Sequence, residues 1–178
     1  MTRLIINEQV YEEFLLKEIP GLKKFLWIAT ADIKDVHVQR GRSYIPFLRV
    51  LSELTERGVE IRLLHAKEPG ERFRRDFDRY PGLARSELFE RILCPRVHFK
   101  CLILDGKRAY IGSANLTGAG MGAKNTSRRN FEAGMDTRDP ALLDEIMTLF
   151  DEVFLGDRCA ECSFFKDCPD PAVHAQGA

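Results

Sequence analysis

The strongest constraint on the fold of this chain is a strand–helix–strand pattern in its first third. The apolar stretch FLWIATA at 25–31 indicates a buried strand. Residues 43–57 place three leucines on one helical face, and Gly58 follows as a helix stop. A second strand, VEIRLL at 59–64, comes directly after it. Because a helix between two strands is typical of a parallel crossover, the pattern predicts a parallel strand pair in an α/β domain.

Further segments extend this pair into a larger sheet. Helices are predicted at 7–18 and 139–155, and the polar segment 70–92 predicts only short helices. A hairpin is predicted around Asp105-Gly106, a common two-residue turn. The strands of this second group are 97–104, 108–113 and 130–135. We therefore expect an α/β fold whose sheet is mixed and mostly parallel, with helices on both faces.

Charge and hydropathy narrow the functional classes. Lys and Arg number 27, as do Asp and Glu, so the formal charge is zero and nucleic acid would need a local basic groove. No stretch approaches the roughly 20 apolar residues of a membrane span. Three glutamates in the first 13 residues argue against a signal peptide. These features predict a cytoplasmic protein without a membrane partner, divided into a catalytic domain at 1–155 and a Cys-rich tail at 156–178.

Polar residues with phosphate chemistry cluster in and around the predicted hairpin. His98 and Lys100 are two apart on a predicted strand, so both side chains would leave the same face. Lys100 can neutralise phosphate oxygens, and a neutral imidazole can attack phosphorus. Ser113 and Asn115 can donate hydrogen bonds to phosphate oxygens. Glu132, on a later strand, is placed to hold the second ring nitrogen of His98.

This pattern resembles a known family. HFK at 98–100, Asp105 and GSAN at 112–115 resemble the HxKx4D…GSxN motif of the phospholipase D superfamily. Six fixed residues at about one in twenty each arise by chance on the order of once in 10⁸ windows. The resemblance extends over residues 1–155 and includes an acidic residue, Glu132, after the motif.

The resemblance implies a role for each residue. His98 would form a covalent phosphohistidine, while a second motif histidine protonates the leaving group. Lys100 and Asn115 would bind phosphate, and Ser113 would orient or bind it. Glu132 would support the His98 imidazole. The resemblance implies no catalytic metal.

One departure from the family pattern bears on quaternary structure. Many members carry two motifs in one chain, whereas this chain carries one complete copy. The triplet at 65–67 matches HxK, but Arg72 stands at the Asp position and no GSxN follows, so we interpret it as chance. A two-fold homodimer would bring two copies of His98 together, as in similar single-motif members. Asp105 would support the motif rather than react.

Three functions remain open from the sequence. The leading hypothesis is a metal-independent nuclease that cleaves DNA or RNA. The alternatives are a phospholipid phosphodiesterase or transferase, and a non-catalytic nucleic-acid-binding module with a structural metal. Lys124, Arg128 and Arg129 follow the motif and are predicted to contact a phosphate backbone, although ordinary loop charges would give the same pattern.

The tail holds a second pattern, C-x2-C-x5-C at 159–168. CxxC spacing allows two thiolates to bind one ion, and a third Cys can close around it. Zinc, a [4Fe–4S] cluster and unligated thiols are all compatible with the spacing. Cys101 points opposite to the motif side chains and is expected in the core. The predicted ligands are Cys94, Cys159, Cys162 and Cys168, with His174 as the alternative to Cys94.

Overall fold

A seven-stranded sheet lies at the centre of the molecule, of which a computed structural model describes residues 1–34 and 36–171. The nine strands are β1 Thr2–Ile6, β2 Phe25–Thr30, β3 His37–Arg40, β4 Ser43–Pro46, β5 Glu60–His65, β6 Phe89–Leu93, β7 Lys100–Leu104, β8 Arg108–Gly112 and β9 Ala133–Thr137. The main sheet has the order β1-β9-β8-β7-β2-β5-β6, and β3 and β4 form a separate hairpin.

Helices cover both faces of the sheet. They are a π-helix at Tyr11–Glu18, α1 Phe47–Glu56, α2 Glu71–Phe77, α3 Pro81–Arg85 and α4 Pro140–Phe154, with short 3₁₀ turns at Ile19–Gly21, Thr126–Arg128 and Phe165–Asp167. Phe14 of the π-helix and Leu51 of α1 pack into the larger core, on one face. Phe150 of α4 packs with Trp27 on the other face, their rings stacked 5.1 Å apart.

The predicted α/β class, the mixed sheet and the helices on both faces are confirmed, but the sheet is not mostly parallel. Four of its six strand pairings are antiparallel, from β1 to β2, and two are parallel, β2–β5 and β5–β6. The strands β2 and β5, which are connected through α1, form the predicted parallel pair. The strands β7 and β8 are antiparallel because the short turn at residues 105–107 can join only antiparallel neighbours.

Several boundaries differ from the sequence prediction. The predicted helix at 43–57 starts as β4 and becomes helical only at Phe47, after Pro46. The predicted strand at 97–104 begins at Lys100, because its partner strand β8 ends at Gly112, opposite Lys100. The strand β6 starts within the 70–92 segment, for which short helices were predicted, and ends at Leu93.

The order and directions of the strands bring distant residues to one end of the sheet. The C-terminal ends of β2, β5, β6 and β8 lie there, together with the N-terminal ends of β7 and β9. We call this the motif end, because His98, Ser113, Asn115 and Glu132 all directly flank it. The turn between β7 and β8 lies at the opposite end, the hairpin end.

Candidate active site

His98 and Lys100 are neighbours at the motif end, but not through strand alternation as predicted. His98 lies before β7 and its side chain is exposed. Lys100 is 7% exposed, and its ammonium donates a 2.6 Å hydrogen bond to the His98 carbonyl. Among residues 1–34 and 36–171, no hydrogen bond to the His98 imidazole is present. An ammonium has three donors, so Lys100 keeps two for an anion beside the free imidazole.

The loop that carries Ser113 and Asn115 is shaped by Tyr110, a residue that the sequence prediction missed. The Tyr110 hydroxyl accepts a 3.1 Å hydrogen bond from the Ala114 N–H, and burial raises the pKa of the phenol. A Cβ atom at Gly112 would lie 2.4 Å from that hydroxyl oxygen. The glycine of the GSAN motif is therefore required by packing against the Tyr110 ring. Strand alternation predicts that Tyr110 is buried, but gives no sign of this contact.

Asn115 connects the motif loop to the end of β2. Its Oδ1 atom accepts hydrogen bonds from the N–H groups of Ala31 and Asp32, at 3.1 and 3.0 Å. The carbonyl half of the amide is thus committed to structure, and the NH₂ half is the part that can donate to a ligand. These two hydrogen bonds hold the Asn115 side chain in place, so that its NH₂ group lies beside the segment that follows β2.

Glu132 contacts Ser113 rather than His98, which corrects the predicted tautomer contact. The Ser113 hydroxyl donates a short hydrogen bond to Oε2 of Glu132, and the Asn130 amide donates to Oε1 at 3.0 Å. The reason is strand order. Since β8 lies between β7 and β9, two strand spacings, roughly 10 Å, separate the backbones next to His98 and Glu132. Ser113 lies between them.

Asp105 lies at the hairpin end, away from the other motif residues. The strand β7 separates it from His98 by roughly 20 Å at the usual rise per residue. Its carboxylate accepts hydrogen bonds from the N–H groups of Lys23, Lys24 and Phe25, at 3.1, 2.8 and 3.0 Å. Burial of the carboxyl group raises its pKa, but the three hydrogen bonds lower it by more. The pKa of Asp105 is therefore below its ordinary value. Asp105 therefore holds the start of β2, and its role in the reaction stays a prediction.

A groove of about 690 Å³ opens beside the motif loop. The segment after β2, the start of α2 and the loop after Asn115 line it. It carries four cationic side chains and three acidic ones, so it is only slightly basic. These residues are Lys34, Lys67, Arg72 and Lys124, against Asp32, Glu68 and Glu71.

The three cations predicted to bind nucleic acid are in different situations. Lys124 lines the groove and is exposed. Arg128 is exposed on a 3₁₀ turn outside the groove lining. Arg129 pairs with Glu8 at 3.4 Å and donates to the Lys124 carbonyl. Arg129 therefore holds the loop together, and Lys124 is the best placed of the three to meet a ligand.

His65, from the triplet interpreted as chance, also lies at the motif end. Its side chain is fully buried, and Nδ1 hydrogen-bonds to the Lys67 carbonyl at 2.9 Å. Nε2 has no partner among the described residues. Burial lowers the pKa of this imidazole, so it stays neutral near pH 7.

The four predicted metal ligands that the structure describes come close together, although they do not form a finished site. Cys94, Cys159, Cys162 and Cys168 line one small cavity beneath the motif end. Within residues 1–34 and 36–171, no group of three or more His, Cys, Asp or Glu side chains is arranged to hold a metal ion. The alternative ligand His174 lies outside the described residues. Cys101 is buried, as expected, and burial raises its pKa to about 12.

The fold and this site together define a domain of the phospholipase D type. A family model described as "Cardiolipin synthase, PLD-like domain" matches residues 15–154, and the chain belongs to that family. The superfamily consists of phosphodiesterases. No curated protein sequence matches the chain. No helix in the described part of the chain is long and apolar enough to cross a membrane.

Solved structures with a similar fold include the following three. NucT from Helicobacter pylori is 14% identical, with a TM-score of 0.63 over 85% of this chain and 94% of its own. Nuc from Salmonella typhimurium, a phospholipase D family member, is 13% identical, with a TM-score of 0.60 over 85% and 93%. Phosphatidylserine synthase from Haemophilus influenzae is 12% identical, with a TM-score of 0.59 over 85% of this chain but 36% of its own.

Proposed function

We propose that this protein is a metal-independent phosphodiesterase that cleaves nucleic acid, with His98 as the nucleophile and a homodimer as the active unit. The observation that carries the proposal is the free imidazole of His98 beside the Lys100 ammonium, at the sheet end that also presents Ser113 and Asn115. A nucleophile, the Lys100 ammonium and the Asn115 amide then meet one phosphate. Ser113, whose hydroxyl donates to Glu132, holds the loop that presents Asn115.

The chemistry follows in two steps. Neutral His98 attacks phosphorus, a P–N bond forms, and the P–O bond to the leaving alcohol breaks. The departing oxygen takes a proton from the partner's His98, which enters this step as imidazolium. Water then attacks phosphorus and gives a proton to the partner's His98 while the P–N bond breaks. Lys100 and the Asn115 amide stabilise negative charge on the phosphoryl oxygens in both steps.

The partner chain is proposed from an exposed apolar surface, here called the edge patch. Leu4, Ile6, Phe131 and Met135 are 69, 46, 98 and 42% exposed. Leu4 pairs with Met135 across β1 and β9, so these two and Ile6 lie on one side of the sheet edge. Phe131 directly precedes Glu132. Such a patch marks an interaction site, and a second copy is the occupant that would complete a one-histidine site.

Nucleic acid is favoured over phospholipid by two features. The groove borders the loop that follows Asn115, and its four cations could contact phosphates of a polyanion beyond the reacting one, which a lipid headgroup lacks. The fold similarity extends over nearly all of NucT and Nuc but over about a third of the phosphatidylserine synthase. Since the groove is only slightly basic, we expect few phosphate contacts. The affinity for nucleic acid should therefore fall only modestly as the salt concentration rises.

The test is cleavage by purified wild type and His98→Ala. The substrates are single- and double-stranded DNA and RNA, a small phosphodiester and phospholipid vesicles, each with and without chelator. We expect nucleic-acid cleavage that survives chelation and falls at least about 10³-fold in His98→Ala. A ³²P-labelled substrate should leave acid-labile label on wild-type protein only.

Controls separate chemistry from folding. Lys107→Ala, an exposed change at the hairpin end, should leave cleavage unchanged. Lys124→Ala should raise KM with little change in kcat, because it removes a groove contact and no reacting group. Cleavage of phospholipid vesicles but not of nucleic acid would show that the substrate is a phospholipid instead. Loss of cleavage under chelation, or full activity of His98→Ala, would overturn the mechanism.

A further inference from the structure

The C-terminal tail has a side-chain arrangement that the proposed reaction does not use. Between residues 157 and 171 the three cysteines are partly buried, and every other residue is exposed. Even Phe164 and Phe165 are 52 and 38% exposed. A segment with no apolar core of its own rarely keeps one conformation without a staple. The inward cysteines are the residues that can supply it.

A fourth cysteine meets these three from the main domain. Cys94, directly after β6, lines the same small cavity as Cys159, Cys162 and Cys168. The tail is brought there by Asp170, whose carboxylate accepts a 2.9 Å hydrogen bond from the Leu93 N–H. The two chain segments are thus already in contact before any ion is considered.

A cation lies beside these cysteines. Arg96 lines the same cavity as Cys94 and Cys162. Its guanidinium charge would offset part of the negative charge of a tetrathiolate, because opposite charges at short range stabilise one another. The four sulfur-bearing side chains are thus gathered in one place with a positive charge at hand.

We propose that Cys94, Cys159, Cys162 and Cys168 bind one zinc ion that fastens the tail to the end of β6. Binding converts four thiols to thiolates and releases four protons. Four thiolates are a complete ligand set for one zinc ion, and the cavity of about 20 Å³ between them leaves room for a single ion. Because no ion-holding group is formed within the described residues as they stand, the ion must draw the sulfur atoms inward.

The experiment measures metal content in the full chain, purified under reducing conditions without added metal. We expect about one zinc per chain in wild type, at least a tenfold loss of occupancy in Cys94→Ser and Cys162→Ser, and unchanged zinc in Cys101→Ala, the matched control in the core. Cobalt(II) added to the zinc-free protein should give the intense visible absorption of a tetrahedral tetrathiolate. A strong chelator should lower the Tm of wild type but not of Cys162→Ser.

Each contrary result has a definite meaning. Metal-free wild-type protein with no cobalt–thiolate absorption overturns the site. Iron with acid-labile sulfide overturns the single-ion assignment. Zinc that persists in Cys94→Ser overturns the link between tail and domain. None of these readouts depends on cleavage, so the zinc site and the proposed reaction can fail separately.

Discussion

Asp105 and His98 are seven residues apart, and the strand between them carries their side chains to opposite ends of the sheet. A sequence motif of this kind therefore joins residues with different tasks. His98 keeps an unoccupied imidazole for a ligand, whereas every donor near Asp105 is a backbone N–H of its own chain. Spacing along the chain identifies both residues but does not distinguish reaction from support.

Asp105→Asn is expected to lower stability without lowering the rate of cleavage per folded molecule. It weakens three charge-assisted hydrogen bonds, so we expect a loss of about 1–3 kcal/mol in the free energy of unfolding. Urea denaturation and active-site-normalised kcat measure the two effects. Lys107→Ala, two positions along the same turn, is the matched control; it leaves the three hydrogen bonds intact, so it should leave kcat unchanged and lower stability far less than Asp105→Asn. A large loss of kcat in folded Asp105→Asn would show that Asp105 takes part in the reaction.

The same carboxylate gives a pH dependence with a defined sign. The pKa of Asp105 is lower in the folded than in the unfolded protein, so its stabilising effect is present above the ordinary Asp value of about 3.9. It is lost as pH falls through the lower folded pKa. The difference in unfolding free energy between wild type and Asp105→Asn should therefore be constant near pH 7 and shrink below about pH 4. A difference that grows on acidification would contradict this.

At the scale of elements, β8 and β9 approach closely because two glycines leave room for the Tyr110 ring. A Cβ atom at Gly134 would lie 2.4 Å from Cε2 of that ring, and one at Gly112 would lie 2.6 Å from the Ala133 carbonyl. The two glycines face each other across the β8–β9 pair. The site's Ser113–Glu132 contact lies directly beyond this pair, so its geometry depends on these two small residues.

Gly112→Ala should destabilise the protein by about 3 kcal/mol, because the new methyl group meets backbone as well as the Tyr110 hydroxyl. Gly82→Ala is the matched control. Nothing lies within 4 Å of its Cβ position in α3, and stability should stay equal or rise by about 0.5 kcal/mol. Thermal unfolding of both variants measures the difference. Equal Tm values would show that β8 and β9 can separate without cost.

Elements were predictable from sequence where one segment carries its own pattern. The buried strand β2, helix α1 and the Asp105-Gly106 turn, whose φ values of 52° and 64° both lie in the left-handed region, follow local rules. The edge strand β1 was not predicted, since it pairs with β9, which lies 127 to 135 residues away in sequence. Likewise the partner of Glu132 depends on β8 lying between β7 and β9, which is a property of the assembled sheet.

At the scale of the whole molecule, a site shared by two chains should reveal itself on mixing. With a tenfold excess of His98→Ala, random exchange places about nine-tenths of wild-type chains in mixed dimers, which hold one His98 instead of two. Cleavage per wild-type chain should fall as the fraction of wild-type chains in mixed dimers rises. Independent sites would instead keep cleavage per wild-type chain constant.

The edge patch supplies the control for that mixing experiment. Leu4→Asp should convert wild type to a monomer in sedimentation and abolish cleavage, because a buried unpaired carboxylate opposes association. The double variant with His98→Ala should then fail to inhibit wild type. Tyr44→Asp, equally exposed on the separate β3–β4 hairpin, should leave dimer and activity intact. A fully active Leu4→Asp monomer would disprove the shared site.

The pairing of β1 with β9 also has a consequence for folding during synthesis of the protein. The ribosome makes Ile6 well before its partner Ala133. At ordinary rates of translation the interval is about 6 to 25 s. Until then the TRLII segment is an apolar strand with open edges, the kind of surface that chaperones hold and that aggregates when left alone. Asn7, which hydrogen-bonds to Glu132, pairs at the same stage, so the motif end is completed only after residue 133 has been translated.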